Sequence, residues 1–240
     1  MKVIDAMKKQ RILSLEILPP DRGQDIDEIF FTIDELMKFS PSFINITRHA
    51  PEISYIEIGD RIVKIPKVRK PGTVGVSAAI KNRYNVDVVP HVLCMGMSKF
   101  EIEDMLIDFK YLDIENVFVI RGEIENKREF TFERDNYYHA NELVEQISNM
   151  NKGIYLYPVD NPKPTNFCIG IAGYPEKHYE AMNFDEDMKN LKKKVDAGAN
   201  YIITQMFFDF NVYKNFVERA REFGINVPII PGIKPIVQPK

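Results

Sequence analysis

The side chains able to do chemistry in this sequence fall at one recurring place, within or just after short apolar runs. Glu16 sits in Leu13-Ser14-Leu15-Glu16-Ile17-Leu18. Thr47-Arg48-His49 closes a second run, His91 lies in a third, and Arg121-Gly122-Glu123 follows a fourth. A fifth leads through Ala172 into Gly173-Tyr174-Pro175-Glu176-Lys177-His178, a sixth ends at Thr204-Gln205, and a seventh at Pro231-Gly232. The alternation around Glu16 puts Leu13, Leu15 and Ile17 on one strand face and Ser14, Glu16 and Leu18 on the other. That second face is assigned to the interior of the fold, where desolvation favours the neutral carboxyl and raises its pKa, which suits a general acid near neutral pH. A carboxylate satisfied by a neighbouring Arg or Lys is an equally good reading. Arg121-Gly122-Glu123 offers a cation, a flexible backbone and a carboxylate, suited to a phosphate or a cofactor ring edge, although such a triplet alone is more often a surface turn. Gln205 offers donor and acceptor, as a heterocycle edge or a core backbone group would require. Phe207 and Phe208 read more readily as core or pocket wall than as a stacking platform.

The elements that must position these groups repeat as strand, functional loop and amphipathic helix. Seven strands are expected, at residues 12–18, 43–47, 90–94, 116–121, 167–172, 201–205 and 227–231. Residues 27–39 carry Ile29, Phe30, Ile33, Leu36 and Met37 at helical spacing. Ser98 with Glu101 has the form of a capping box opening a helix through Lys110. Gly198 and Gly224 are placed to end helices over 185–197 and 212–223. Strict alternation implies an α/β fold with a parallel sheet, doubly wound or closed into a barrel. The first strand leads into Pro19-Pro20-Asp21-Arg22-Gly23 and not into a glycine-rich nucleotide loop, which favours the barrel. Barrels of this type carry their active sites at the C-terminal strand ends, where the polar groups recur. Residues 54–67 read as a hairpin insertion around Gly59-Asp60, and 151–166, with three prolines, as a long surface loop. Neither resembles an interdomain linker, so one domain is expected.

Charge argues in the same direction. A net charge of −3 without long single-sign blocks is unlike a nucleic-acid or membrane-surface protein. Lys192-Lys193-Lys194 is the densest basic run and reads first as a solvated helix face. Cys94 and Cys168 lie far apart in apolar runs, as reduced thiols of a cytoplasmic protein would. The four histidines lack metal-ligand spacing, so no metal is expected, and no apolar run approaches the roughly 20 residues of a membrane span. Association with further copies of the chain is left open.

Taken in order, these segments resemble methylenetetrahydrofolate reductases over nearly the whole chain. The matching stretches are Leu15-Glu16-Ile17-Leu18-Pro19-Pro20, Pro90-His91-Val92-Leu93-Cys94, Val119-Ile120-Arg121-Gly122-Glu123 and Gly170-Ile171-Ala172-Gly173-Tyr174-Pro175-Glu176. They continue through residues 191–199, Ile203-Thr204-Gln205-Met206-Phe207-Phe208 and Ile229-Ile230-Pro231-Gly232-Ile233. The resemblance implies a (β/α)8 TIM-type barrel with non-covalent FAD across the strand ends. It implies ping-pong reduction of 5,10-methylenetetrahydrofolate to 5-methyltetrahydrofolate with NADH or NADPH, in one-carbon metabolism that serves methionine biosynthesis. Glu16 matches the family's general acid and Gln205 a pterin contact, both on the substrate. Thr47, His91, Arg121, Gly122, Glu123, Ala172, Tyr174, His178, Asp187, Asn190 and Lys194 match flavin positions, which makes Lys194 a phosphate-contact candidate. A partner flavoprotein or ferredoxin as electron donor, or a flavin- or folate-binding remnant without turnover, remain the alternatives.

Three departures stand out. Glu123 replaces the Asp usual after Arg-Gly, which bears on redox tuning and on the catalytic role of that carboxylate. His139 stands where Tyr is frequent. The sequence stops at Lys240, so the resemblance implies a barrel without its last βα unit, against the ~250 residues of a typical complete one.

Overall fold

The computed structural model describes residues 1–50, 52–67, 69–122 and 135–236. Seven parallel strands form one sheet in the order β1 (Ser14–Ile17), β2 (Phe43–Ile46), β5 (Asp87–Leu93), β6 (Asn116–Ile120), β7 (Cys168–Gly173), β8 (Tyr201–Thr204) and β9 (Ile229–Ile230). The sheet curls into an open TIM-type barrel of seven units. Helices α2 (Asp27–Leu36), α3 (Thr73–Tyr84), α4 (Lys99–Tyr111), α5 (Ala140–Met150), α6 (Phe184–Asp196) and α7 (Phe210–Glu222) alternate with the strands. All seven expected strands are present. The Ser98–Glu101 capping box opens α4, and Gly198 and Gly224 take left-handed backbone angles after α6 and α7.

Strand register sorts side chains into two layers. Pairing aligns Glu16 with Asn45 and Val89, and His91 with Phe118, Gly170 and Tyr201, on the concave face. Phe43, Val89, Phe118, Cys168 and Tyr201 pack there as a compact inner cluster. The alternate residues Ile44, Ile46, Val88, Val92, Val117, Val119, Ile169, Ile171 and Ile202 form the outer layer under the helices. Burial on both faces explains why β2 and β6 read as nearly continuous apolar runs. Tyr201 is wholly buried and fills the interior beside Gly170, where an added Cβ would lie 2.6 Å from Tyr201 Cε2. Glycine is therefore a packing requirement at this point of β7.

The floor of the barrel is closed by α1 (Val3–Lys9), an element that the mixed, polar N-terminal residues did not announce. Val3 and Ala6 enter the inner cluster. Asn116 fastens the helix: its Oδ1 accepts from Val3 N at 2.9 Å and its Nδ2 donates to Met1 O at 3.0 Å. Strands β3 (Glu52–Ile58) and β4 (Arg61–Lys67) form an antiparallel hairpin outside the barrel sheet, turning at Gly59-Asp60. Among the described residues no helix is long and apolar enough to cross a membrane.

Candidate active site at the C-terminal strand ends

Because the strands are parallel, their C-terminal ends share one rim, and two groups of polar side chains gather on it. The first stands on β1, β2 and β5. Glu16 Oε2 lies 4.0 Å from His91 Nε2. His91 is 5% exposed, its ring packs on Phe118 with centroids 4.8 Å apart, and its Nε2 has no hydrogen-bond partner. Burial, with a smaller contribution from nearby His49, pushes the His91 pKa down to about 3, so the imidazole is neutral and the Glu16 contact is not an ion pair. Burial also raises the Glu16 pKa, and His49 partly offsets it. Its side chain nevertheless keeps 62% of its surface accessible through the open mouth. The carboxyl thus has a raised pKa while remaining open to solvent at the mouth. Its neighbours are polar as well as apolar: Asn45 faces it across the β1–β2 ladder, His91 approaches it, and His49 lies within electrostatic reach. Thr47 adds a buried Oγ1 without a partner, while its N–H donates to Ile17 O at 3.0 Å.

The second group stands on β6, β7 and α6. Arg121, just past β6, pairs through NH2 with Glu180 Oε2 at 2.6 Å. Gly122 follows at φ +90°, an angle that disfavours any other residue. Beyond β7, the Tyr174 ring meets His178 edge-on at 4.6 Å, and His178 stacks on Tyr179 at 4.7 Å. Lys177, at φ 74°, folds its Nζ back onto His178 O at 2.9 Å and Ala181 O at 2.6 Å. Asp187 and Lys194 are two helical turns apart on α6 and so share its inner face. Asp187 Oδ2 accepts from His178 N at 3.0 Å, and Lys194 Nζ donates to Ala172 O at 2.7 Å. Burial lowers the Lys194 pKa to about 8, with Asp187 opposing that fall. The His178 pKa is lowered by burial too, against Asp187 and with Arg121, Lys194 and Lys177. Those couplings place three nitrogen donors, Arg121, His178 and Lys194, within electrostatic reach of one another.

Other expected site residues stand apart or outside. Gln205 follows β8, its N–H donating to Gly173 O at 2.7 Å and its side chain exposed on the rim. Asn190 lies between Asp187 and Lys194 at helical spacing, is exposed, and accepts from Lys193 Nζ at 3.2 Å. Glu123 lies outside the described residues. Two clefts, of about 410 and 430 Å3, flank α1 at the opposite end of the strands. They are lined by residues such as Lys2, Asp5 and Glu115, and Ile4, Met7 and Val227, which assemble none of the groups above.

A family model described as methylenetetrahydrofolate reductase matches residues 2–240. The chain belongs to that family. The 5,10-methylenetetrahydrofolate reductase of Escherichia coli K12 is 30% identical over 93% of this chain, which covers 64% of that protein. Methylenetetrahydrofolate reductase (NADH) 1 of Arabidopsis thaliana is 30% identical over 98% of the chain, covering 38% of the plant protein. The chain thus spans between about a third and two thirds of the length of these relatives. An oxaloacetate acetylhydrolase structure, with a TM-score of 0.57 over 99% of this chain and 73% of that one, shares only 8% identity and shows the barrel fold alone.

Two residues of the rim, Glu180 and Asn45, have no signature in the sequence. Glu180 is far in sequence from Arg121, so no local pattern pairs them. Asn45 was legible only through strand register: it donates to Ser14 Oγ at 2.5 Å and faces Glu16 across the β1–β2 ladder.

Proposed function

We propose that this chain carries, on a single barrel domain, the flavin-dependent reduction of 5,10-methylenetetrahydrofolate to 5-methyltetrahydrofolate. NADH or NADPH is the electron donor, and the two substrates take turns in the same site. The observation that supports it most is the pairing of a family match over residues 2–240 with the neutral His91 and raised Glu16 at one strand-end rim.

The donor set suits FAD. Arg121, His178 and Lys194 offer cationic or N–H donors to a diphosphate, and Thr47 Oγ1 and His91 Nε2 are buried polar atoms with no partner of their own. Gly122, Ala172 and Tyr174 complete the cradle, and Asp187 holds the His178 backbone. When bound, FAD supplies the hydride acceptance and donation that no side chain of the chain can perform.

The protein's own part is protonic and electrostatic. Glu16 holds a proton at its carboxyl and delivers it to a ring nitrogen of methylenetetrahydrofolate, which opens the five-membered ring to an iminium ion. Neutral His91 stays uncharged at working pH and so adds no repulsion to that cation. Gln205 is exposed on the rim, and in this reading its amide pairs with the pterin edge.

The test is a titration in two stages. Protein supplied with FAD should be yellow, bleach with NADH or NADPH and recolour on adding methylenetetrahydrofolate. With Glu16→Gln, bleaching should persist while the recolouring rate falls by about 10²–10⁴, the typical contribution of a positioned acid. Parallel loss of both stages would make Glu16 a cofactor-positioning group, and an unchanged second stage would overturn the proposed acid.

A further inference from the structure

Glu180 connects two of the donors just described, from two different atoms. Its carboxylate Oε2 holds the Arg121 guanidinium at 2.6 Å, with both side chains only 23% exposed. Its backbone N–H donates to His178 Nδ1 at 3.2 Å. A neutral imidazole that accepts at Nδ1 carries its proton on Nε2, so that bond fixes the tautomer and leaves Nε2–H as the free donor. The loop is fastened on both sides of Glu180, since Lys177 Nζ donates to His178 O and Ala181 O, and Ala181 N donates to His178 O at 3.0 Å. The Glu180 contact uses NH2 of Arg121, and a guanidinium has five N–H donors on a rigid plane.

We propose that Glu180 is a positioning residue that sets Arg121 and His178 as a paired donor site for the diphosphate of the cofactor. This rests on the flavin reading above. The side chain fixes the plane of the guanidinium, and the backbone fixes which imidazole nitrogen donates. Simple charge arithmetic predicts the opposite role. A carboxylate beside an incoming dianion repels it, so neutralising a merely repulsive Glu180 would tighten binding. The sign of the effect therefore decides between positioning and repulsion.

The experiment measures dissociation constants of FAD, riboflavin and inorganic pyrophosphate for the full chain, Glu180→Met and Glu180→Gln. Met removes both charge and acceptor at similar length, and Gln keeps an acceptor for Arg121. FAD and pyrophosphate should bind about three- to tenfold more weakly to Glu180→Met, the scale of one newly immobilised long side chain. Glu180→Gln should fall in between, and riboflavin, which has no phosphate, should bind all three proteins alike. FAD binding that is unchanged or tighter in the variants overturns the proposal, as does an equal loss for riboflavin. If Glu180→Met does not fold, Glu180→Gln decides the same question by the sign of its effect and by its FAD-to-riboflavin split. Wild-type protein that binds pyrophosphate in a Glu180-dependent way but not FAD defeats the flavin reading and leaves the donor pair standing. Failure to bind either defeats both.

Discussion

On the flavin reading, the partly buried ammonium of Lys194 should make cofactor affinity depend on pH in a definite direction. Its pKa falls from the ordinary 10.5 to about 8, first because burial removes the ammonium from water. At about 1.4 kcal/mol per pH unit, that fall corresponds to roughly 3 kcal/mol against the charged form in the free protein. A dianionic diphosphate would favour that form again and raise the pKa. Affinity should therefore be full below about pH 8 and decline as the free protein loses the proton, reaching a loss of about thirtyfold near pH 9.5. Lys194→Met should bind FAD about 10- to 100-fold more weakly at neutral pH, the scale of a hydrogen bond to a charged group, and should show no break. Riboflavin carries the same ring without phosphate and serves as the control for titration of the flavin itself. Stability of the cofactor-free protein runs the other way. Between pH 8 and 10.5 the unfolded chain binds the proton that the fold has released, so this lysine adds stability as pH rises. Fluorescence titration across that range, paired with melting curves, reads both signs. A wild-type Kd independent of pH, or a break that survives in Lys194→Met, would refute the placement of this ammonium against the phosphates.

Other outcomes follow from packing and burial. Gly170→Ala forces a Cβ to within 2.6 Å of the Tyr201 ring, which is wholly buried, so melting should fall by several degrees for an overpacking cost of about 1–3 kcal/mol. A melting point equal to wild type would show that Tyr201 can retreat. Cys94, with its thiol pushed up to about 12 by burial, and Cys168, also buried, should resist thiol reagents until the chain unfolds. Native-state labelling of either at a free-thiol rate would contradict the two-layer packing.

Much of the barrel was legible because parallel strands buried on both faces leave unbroken apolar runs, as in Asn116–Ile120 and Cys168–Gly173. The helix stops at Gly198 and Gly224 were legible because only backbone chemistry is involved. What escaped depends on partners distant in sequence. Helix α1 has seven residues and two buried ones, Val3 and Ala6, too few for a periodic signal, and it is fastened by the side chain of Asn116. Helix α3 begins after Pro71-Gly72 and contains Gly75 together with the β-branched Thr73, Val74, Val76 and Ile80, so its intrinsic preference is poor. The alternation around Glu16 correctly indicated the concave face, but not that Asn45 and His91 would meet it there, because strand register is set by the whole sheet.

The rim has an electrostatic asymmetry that follows from this sorting. On β1, β2 and β5 the groups near the mouth are the carboxyl of Glu16, with its pKa raised by burial, and the neutral imidazole of His91, while Arg48 just after β2 turns its guanidinium onto Met105 Sδ at 2.9 Å. On β6, β7 and α6 stand Arg121, Lys177 and Lys194, balanced in part by Glu180 and Asp187. A ligand with an anionic end and a neutral heterocyclic end would be oriented by this difference before any specific contact forms, because fixed charges act over several ångströms where water is excluded. The anionic end belongs with the cations of β6 to α6. The proposed ring position is then toward Glu16 and His91, where burial raises the carboxyl's pKa and the imidazole stays uncharged. On the proposed reading, chemistry at Glu16 and anchoring at Arg121 are two consequences of one arrangement, so loss of Arg121 should weaken cofactor binding, whereas loss of the Glu16 acid should slow the folate stage and leave cofactor binding intact.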